Sequence, residues 1–191
     1  MARRAHALAV ALGLLGLAAL VVLPFASGKF VTYLAMRVMC LGIFALGYNL
    51  LLGQTGLLSF GHGAFYAAGA YALGLFSLRL SPHPVLGIAV GVAAAALLAL
   101  AIGFLCVRSS EVYFSMLTLA FGMMVFALVW NAREITGGDD GLIGIARVPI
   151  TALGLVRVPI ARESQYYFVV LAFFVASCWV ALCIRGSPFG L

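Results

Sequence analysis

Charged residues are scarce in this 191-residue sequence. They make up 8% of the chain, against about a quarter in an ordinary soluble domain, whereas hydrophobic residues make up 65%. The missing charge excludes an ordinary water-soluble surface, and the hydrophobicity excludes intrinsic disorder. Apolar runs of roughly 18 to 23 residues match the ~20 residues that a helix needs to cross a bilayer. The ten-residue alternating segments of a membrane β-barrel do not occur. The sequence therefore predicts an all-α, polytopic membrane helical bundle.

The sequence also lacks the residue clusters that indicate metal, nucleotide or nucleic-acid binding. Its three histidines form no metal-ligand spacing, its four cysteines lie inside apolar runs, and it contains neither a P-loop nor a dinucleotide fingerprint. We therefore expect no cofactor and no metal site. The net charge is +6, but Lys and Arg are scattered singly. No nucleic-acid partner is expected, and we expect these charges to anchor helix ends at the surface of the lipid bilayer.

Six apolar runs are candidates for transmembrane helices. We expect about six such helices, at residues 7–25, 30–52, 57–78, 85–107, 112–130 and 166–184. The first run follows Arg3 and Arg4, a pattern that also describes a signal peptide. A retained helix is favoured, because the residues before a possible cleavage after Ala26 match the cleavage pattern poorly and apolar sequence resumes almost at once.

The fourth run carries small residues at every fourth position, among them Gly87, Gly91 and Gly103. This spacing places them along one helix face, where they allow another helix backbone to approach closely. We therefore expect these glycines to serve helix packing.

The longest section between runs, residues 131–165, holds four arginines and four of the five acidic residues. Within it, the sequence Arg-Val-Pro-Ile begins at Arg147 and again at Arg157, which predicts a small hairpin with irregular strands. An acidic turn containing Asp139 and Asp140 could bind a cation or a partner, although a plain solvated turn is the simpler interpretation. The charges do not decide which side of the membrane this section faces.

The stretch from Gly53 to Gly74 combines glycines with polar residues near membrane depth. Its polar members include Gln54, Thr55, Ser59 and His62, and its glycines are Gly53, Gly56, Gly61, Gly63, Gly69 and Gly74. Polar groups beside glycine breaks are how transporters build broken helices that line a substrate path, so we expect a glycine-broken third helix. The same glycines are also compatible with close helix packing alone. The residues themselves leave both interpretations open.

An enzymatic role for the same stretch has little support. Ser59 and His62 lie one helical turn apart and could form a nucleophile–base pair. Ser59 does not lie in a G-x-S-x-G motif, however, and no nearby acid could orient His62. We therefore expect no enzymatic activity in this chain.

A long motif gives the first indication of a family. The sequence GYNLLLGQTGLLSFGHGAFYAAGAY at residues 47–71 strongly resembles the core motif of the branched-chain amino acid ABC transporter permeases, the LivH/LivM family. Three later segments are similar to the LivM branch: YFSMLTLAF at residues 113–121, TGGDDGL at residues 136–142 and SPFG at residues 187–190. The resemblance covers nearly the whole chain after the first predicted helix.

The resemblance implies a multi-pass permease subunit of the bacterial inner membrane, in an importer for branched-chain amino acids or related small amides or urea. Its partners would be a second, LivH-like permease subunit, two cytoplasmic ABC ATPases and a periplasmic solute-binding protein. The alternative is a structural or assembly subunit without a substrate path of its own. Under the transport hypothesis, the expected path residues are Asn49, Gln54, Thr55, Ser59 and His62.

The resemblance also implies an orientation. It places residues 131–165 in the periplasm, where Asp139, Asp140, Arg147 and Arg157 are expected to contact the binding protein. In this family, Ser-Pro-Phe-Gly is normally followed by an arginine-rich cytoplasmic segment and further helices. We therefore expect a C-terminally truncated chain that holds the N-terminal part of a single permease domain.

Overall fold

The computed structural model describes residues 2–80, 83–145, 150–152, 156–158 and 163–187. This part of the chain is mainly helical, with one short hairpin. Its elements are α1 Ala2–Ala26, α2 Lys29–Thr55, α3 His62–Arg79, α4 Pro84–Cys106, α5 Glu111–Asn131, α6 Arg133–Thr136, β1 Ile150–Ala152, β2 Val156–Val158 and α7 Glu163–Arg185.

Four helices in the described residues are long and apolar enough to cross a membrane: α2, α4, α5 and the Gln165–Arg185 part of α7. They contain 21 to 27 residues, against the ~20 that a bilayer core requires. Large apolar side chains lie exposed on their surfaces, for example Leu97 and Phe104 on α4 and Leu182 on α7. Such a surface is stable in lipid and not in water. The predicted helical membrane bundle is therefore confirmed in this form.

α1 and α3 are helices at the places where the first and third spans were expected. The described side chains of α1 form a shorter apolar stretch, Leu15–Ala26. α3 has 18 residues but begins with His62, ends with Arg79 and includes several glycines and tyrosines, which lower its hydropathy. Its start is five residues later than predicted, because residues 57–61 are not helical.

One compact unit combines α1, the part of α2 up to Leu46, and α7. Its core consists of Met39, Tyr167 and Leu171. The Tyr167 side chain is fully buried, and its hydroxyl donates a 2.7 Å hydrogen bond to the backbone carbonyl of Leu20. This bond joins α7 to α1 and satisfies the only polar atom of a buried ring. The Phe174 ring packs on α2 at Gly42, where an added Cβ would lie 2.8 Å from the ring.

A second compact unit begins at Gly47 and includes the end of α2, α3 to α6 and the hairpin. Its core consists of Ile102 and Cys106 of α4 and Phe114 of α5. α4 begins at Pro84, a residue suited to the first helical position because its missing N–H would have no intrahelical partner there.

The predicted hairpin is present in the described residues. β1 and β2 are antiparallel, and Ile150, Thr151 and Ala152 pair with Val158, Arg157 and Val156 respectively. Thr151 and Ala152, which lie between the two Arg-Val-Pro-Ile repeats in sequence, are strand residues. In the sequence, Pro149 precedes β1 and Pro159 follows β2, and both prolines lie outside the described residues. Arg147 lies outside the described residues.

Candidate functional site

The glycine-rich stretch begins inside α2 and not at a break. Gly53, predicted as a helix-breaking residue, is helical, and α2 continues to Thr55. The Thr55 hydroxyl donates a 2.6 Å hydrogen bond to the carbonyl of Leu51, which satisfies the side chain within the helix. Gly56 has a φ of 69° and its N–H bonds the carbonyl of Leu52. This left-handed conformation, which glycine adopts without strain, ends the helix.

Residues 56–61 form a non-helical segment that is tied to α5 by hydrogen bonds. Ser115 donates its hydroxyl to the carbonyl of Leu58 at 2.7 Å. The N–H of Phe60 donates to the hydroxyl of Thr118 at 3.2 Å. Both hydroxyls are buried, and each forms a hydrogen bond with a backbone group of the non-helical segment. In a membrane these groups have no water to bond, so the two α5 side chains make the break possible.

Gly61 and Gly122 bring the backbones of the 56–61 segment and α5 into contact. A Cβ added at Gly61 would collide with the carbonyl group of Thr118. A Cβ added at Gly122 would lie 3.0 Å from the Gly61 Cα. Neither position has room for a side chain, so this contact requires glycine on both elements.

The contacts between the 56–61 segment and α5 follow one direction. Leu58 contacts Ser115, Phe60 contacts Thr118, and Gly61 contacts Gly122, so the segment advances along α5 as the chain advances. α3 then continues the same way, because the Arg79 guanidinium at its end lies 3.5 Å from the carbonyl of Glu134, just beyond α5. The 56–61 segment and α3 together therefore run parallel to α5. Gly122 is the twelfth of the 21 residues of α5, so its contact with Gly61 lies at the middle of that helix.

Ser59 and His62 flank the start of α3. Ser59 is 3% exposed, and its hydroxyl has no hydrogen-bond partner among the described residues. The His62 ring packs edge-on against Tyr48 of α2 and Phe65 of α3, with ring centroids 5.5 and 5.8 Å away. A buried hydroxyl without a partner costs free energy, which is a common mark of a site that accepts a ligand or a water.

The other predicted path residues lie on α2. Asn49 is exposed, and its side-chain oxygen would lie 3.1 Å from a Cβ added at Gly53. Gln54 is half-buried, and Thr55 makes the local bond described above. The structure thus brings His62 to the end of α2 but leaves Asn49 on its surface.

An apolar groove of about 490 Å³ lies between α3 and α5. It extends from Phe60 and Gly61 to Trp130 in the last turn of α5 and to Asp139 beyond the end of that helix. Tyr71 and Phe126 supply further aromatic walls, and Asp139 is the one charged residue among those lining it. None of the five predicted path residues lines this groove. Its volume lies in the range of ~300–1,000 Å³ typical of small-molecule sites.

The predicted packing glycines have different surroundings. A Cβ added at Gly91 would lie 2.8 Å from the carbonyl oxygen of Gly69, so α3 and α4 touch through their backbones there. At Gly87 an added Cβ would be in ordinary contact with Ser77 and Leu73. Gly63 and Gly103 have no described heavy atom within 4 Å of an added Cβ.

The acidic turn is built on glycines with positive φ, at Gly137, Gly138 and Gly141. Asp139 and Asp140 are exposed on it. The buried Thr136 hydroxyl anchors its start by donating to the carbonyls of Val129 and Ala132. In the described part of the chain, no group of three or more His, Cys, Asp or Glu side chains could hold a metal ion. Arg157 lies in β2, and its side chain is outside what the structure describes.

Sequence reasoning did not single out three residues of α5 that shape this site. Ser115, Thr118 and Gly122 recur at intervals of three and four, so they form one stripe of small residues on a helix face. That spacing was available in the sequence. The role of this stripe depends on its contact with residues 56–61, and the sequence around Ser115, Thr118 and Gly122 does not show that contact.

A family model described as "Branched-chain amino acid transport system / permease component" matches residues 30–191. The high-affinity branched-chain amino acid transport system permease protein LivM of Escherichia coli (strain K12) is 37% identical over 147 residues, which cover 75% of this chain and 33% of that protein. The protein of the same name from Salmonella typhimurium (strain LT2) is 35% identical over 138 residues, covering 70% of this chain and 32% of its own length. The chain thus spans about a third of the length of these relatives. No solved structure matches it.

Proposed function

Because the chain belongs to the family of branched-chain amino acid transport system permease components, we propose that it is a transmembrane subunit of an ATP-driven importer. The proposed substrates are branched-chain amino acids, or related small amides or urea. ATP hydrolysis is assigned to partner subunits, since the sequence has no P-loop. The multi-pass helical architecture supports this role, and the proposed membrane is the bacterial inner membrane.

The proposed assembly has four kinds of component. A second, LivH-like permease subunit pairs with this chain, two ABC ATPases lie on the cytoplasmic side, and a solute-binding protein docks from the periplasm. We place residues 131–165 on the periplasmic side, with Asp139, Asp140, Arg147 and Arg157 as contacts for the binding protein. The exposure of both aspartates supports their part of this assignment.

We propose six membrane crossings, with residues 56–79 as a discontinuous third crossing. The parallel course of this stretch and α5 supports the proposal, because a re-entrant loop would return to the side from which it came. α5 is about 31 Å long at 1.5 Å per residue, close to the thickness of a bilayer core. The break at Gly122 would then lie near the middle of the membrane, where broken helices of transporters hold their substrate sites.

The observation that carries the transport proposal is the buried hydroxyl of Ser59 in the 56–61 segment, which has no hydrogen-bond partner among the described residues. In hydrocarbon such a group costs several kcal/mol unless it meets a polar partner. A passing polar solute would supply that partner only transiently, as transport requires. Asn49, Gln54, Thr55 and His62 are proposed to continue the path around it.

A structural or assembly role is the second candidate. The backbone contacts of Gly61 with α5 and of Gly69 with Gly91 favour it, since they account for these glycines by packing alone. The local hydrogen bond of Thr55 is also accounted for without a substrate.

Replacing Ser59 with Ala separates the two candidates. The change removes no hydrogen bond within the described part of the chain, so we expect an unchanged melting temperature and normal assembly of the complete transporter. Leucine uptake by proteoliposomes should fall at least about tenfold, the effect of ~1.4 kcal/mol, if the hydroxyl contacts the solute. Ser77→Ala is the matched control on α3, because among the described residues the Ser77 hydroxyl donates to the carbonyl of Leu73 in its own helix. Equal uptake by Ser59→Ala and Ser77→Ala would favour the structural role.

A further inference from the structure

The groove between α3 and α5 has walls and an opening of different chemistry. Phe60, Tyr71 and Phe126 make its walls apolar and aromatic along most of its length. At the end away from the glycine break it is lined by Trp130, Gly138 and Asp139. Asp139 is exposed, so its carboxylate is in contact with water at this end.

A positive charge lies beside the same opening. Arg133 packs its side chain against Gly138, where an added Cβ would lie 2.9 Å from the Arg133 Cγ. Its guanidinium carbon is 5.4 Å from the centre of the Trp130 ring. Gly138 and Trp130 both line the groove, so Arg133 contacts two of the residues that form its opening. The opening is therefore lined by one carboxylate, and one guanidinium lies beside it against two of the lining residues, above an apolar interior.

This arrangement complements one class of small molecule. A free α-amino acid with a branched aliphatic side chain carries an ammonium and a carboxylate at one end and hydrocarbon at the other. The ammonium suits Asp139, the carboxylate suits the forked donors of Arg133, and the hydrocarbon suits the aromatic walls. A volume of about 490 Å³ has room for such a solute. A lipid chain would fill the walls but would not use the paired charges.

We infer that this groove is a binding site for zwitterionic aliphatic amino acids, with Asp139 recognising the ammonium group and Arg133 the carboxylate. The inference rests on the proposed function for its substrate class, and it adds a site that the Ser59 break does not include. The solute would bind here before it reaches the break, since Phe60 and Gly61 line the inner end of the groove.

Trp130 allows the binding to be measured directly. The full 191-residue chain, with its other tryptophan removed by Trp179→Phe, is placed in lipid nanodiscs and titrated with three probes. Leucine has both charges, 3-methylbutylamine lacks the carboxylate, and 4-methylpentanoate lacks the ammonium. We expect a saturable change in Trp130 fluorescence with leucine and weaker binding of the other two probes. Equal responses to all three probes, or none to leucine, would overturn the inference.

Variants then assign the charges. Asp139→Asn should weaken the binding of leucine and 3-methylbutylamine roughly fivefold, the scale of one exposed charge pair, and leave 4-methylpentanoate unaffected. Arg133→Gln should weaken the binding of leucine and 4-methylpentanoate and leave 3-methylbutylamine unaffected. Glu134→Gln is the matched control, because this acid lies at the same end of the unit without lining the groove. The assignment would be contradicted if Glu134→Gln weakened leucine binding as much as Asp139→Asn does.

Two further readouts separate other outcomes. In a second measurement, brominated acyl chains quench Trp130 when lipid occupies the groove. Quenching that persists in the presence of leucine would make the groove a lipid site and overturn the inference. Leucine uptake by the complete transporter tests the proposed function by itself. If uptake requires this chain but proceeds at the full rate with Arg133→Gln, the groove is not the binding site, and the proposed function is unaffected. No dependence of uptake on this chain would reject the proposed function.

Discussion

Gly61 has the least free space of the residues at the break. An added Cβ would meet the backbone carbonyl of Thr118, which belongs to a helix and cannot turn aside as a flexible side chain could. The two hydrogen bonds from α5 to the same segment hold the two backbones at this separation. Stability at this point therefore depends on the absence of a single methyl group.

Gly61→Ala is expected to destabilise the chain by about 1–3 kcal/mol, the usual cost of an overpacked contact. Gly63→Ala is the control two residues away, because no heavy atom of the described residues lies within 4 Å of its added Cβ. We expect it to change stability by less than about 1 kcal/mol, since Ala favours a helix over Gly. Thermal unfolding of both variants in the same detergent measures the difference. Equal melting temperatures would show that the 56–61 segment does not lie against α5.

The site residues could be predicted only in part from the sequence. The cost of a polar group in hydrocarbon picked out Ser59, and the structure gives its hydroxyl no partner among the described residues. Ser115 and Thr118 were not picked out, because their task is to bond a backbone about 57 residues away in sequence. The aromatic groove was missed for the same reason, since its walls come from two helices that no local pattern pairs.

At the scale of elements, run lengths of apolar residues located the helices well. α2, α4 and α5 begin and end within three residues of the predicted ranges, because the membrane thickness fixes their length. The start of α3 was placed too early. Leu57, Leu58 and Phe60 are apolar and count toward a run, yet Gly56 ends α2 in a left-handed conformation and α5 supplies the next hydrogen bonds. A hydropathy pattern contains no information on the left-handed conformation of Gly56 or on the hydrogen bonds with α5.

The contact of α3 with α4 offers a direct test of element packing. A Cβ built at Gly69 lies 3.6 Å from the Cβ of Ala95, close to the ~3.8 Å separation in disulfides. The double variant Gly69→Cys with Ala95→Cys is therefore expected to form a disulfide on mild oxidation, read by mass spectrometry of the linked peptides. Gly69→Cys with Gly103→Cys is the control, since Gly103 has no neighbour within 4 Å.

Adding Gly91→Leu to the Gly69–Ala95 pair should lower the yield of that disulfide severalfold. The new side chain would have to occupy the space of the Gly69 carbonyl, 2.8 Å from its Cβ, and the helices would separate. If the linked peptides form at the same yield with and without Gly91→Leu, α3 and α4 do not touch at this point.

At the scale of the whole molecule, the direction of each helix has consequences for the proposed path. Within the unit that begins at Gly47, α4 connects the end of α3 to the start of α5, and α3 and α5 run the same way. A solute moving between these two helices would pass from the charged opening at Asp139 to the break at Gly61. A re-entrant segment would end this route on the side where it began, whereas a complete crossing continues it through the bilayer.

Single cysteines labelled by a membrane-impermeant maleimide distinguish these topologies. For a complete crossing we expect Arg79→Cys and Asp140→Cys to react in intact cells, and Thr55→Cys and Arg108→Cys to react only after the membrane is permeabilised. The chain with only its native cysteines gives the background, since Cys40, Cys106, Cys178 and Cys183 all lie within helices. The decisive pair is Thr55 and Arg79, because these residues bound the 56–61 segment and α3 on either side. Reaction of both from the same side would make this stretch re-entrant and would remove the break from the middle of the membrane.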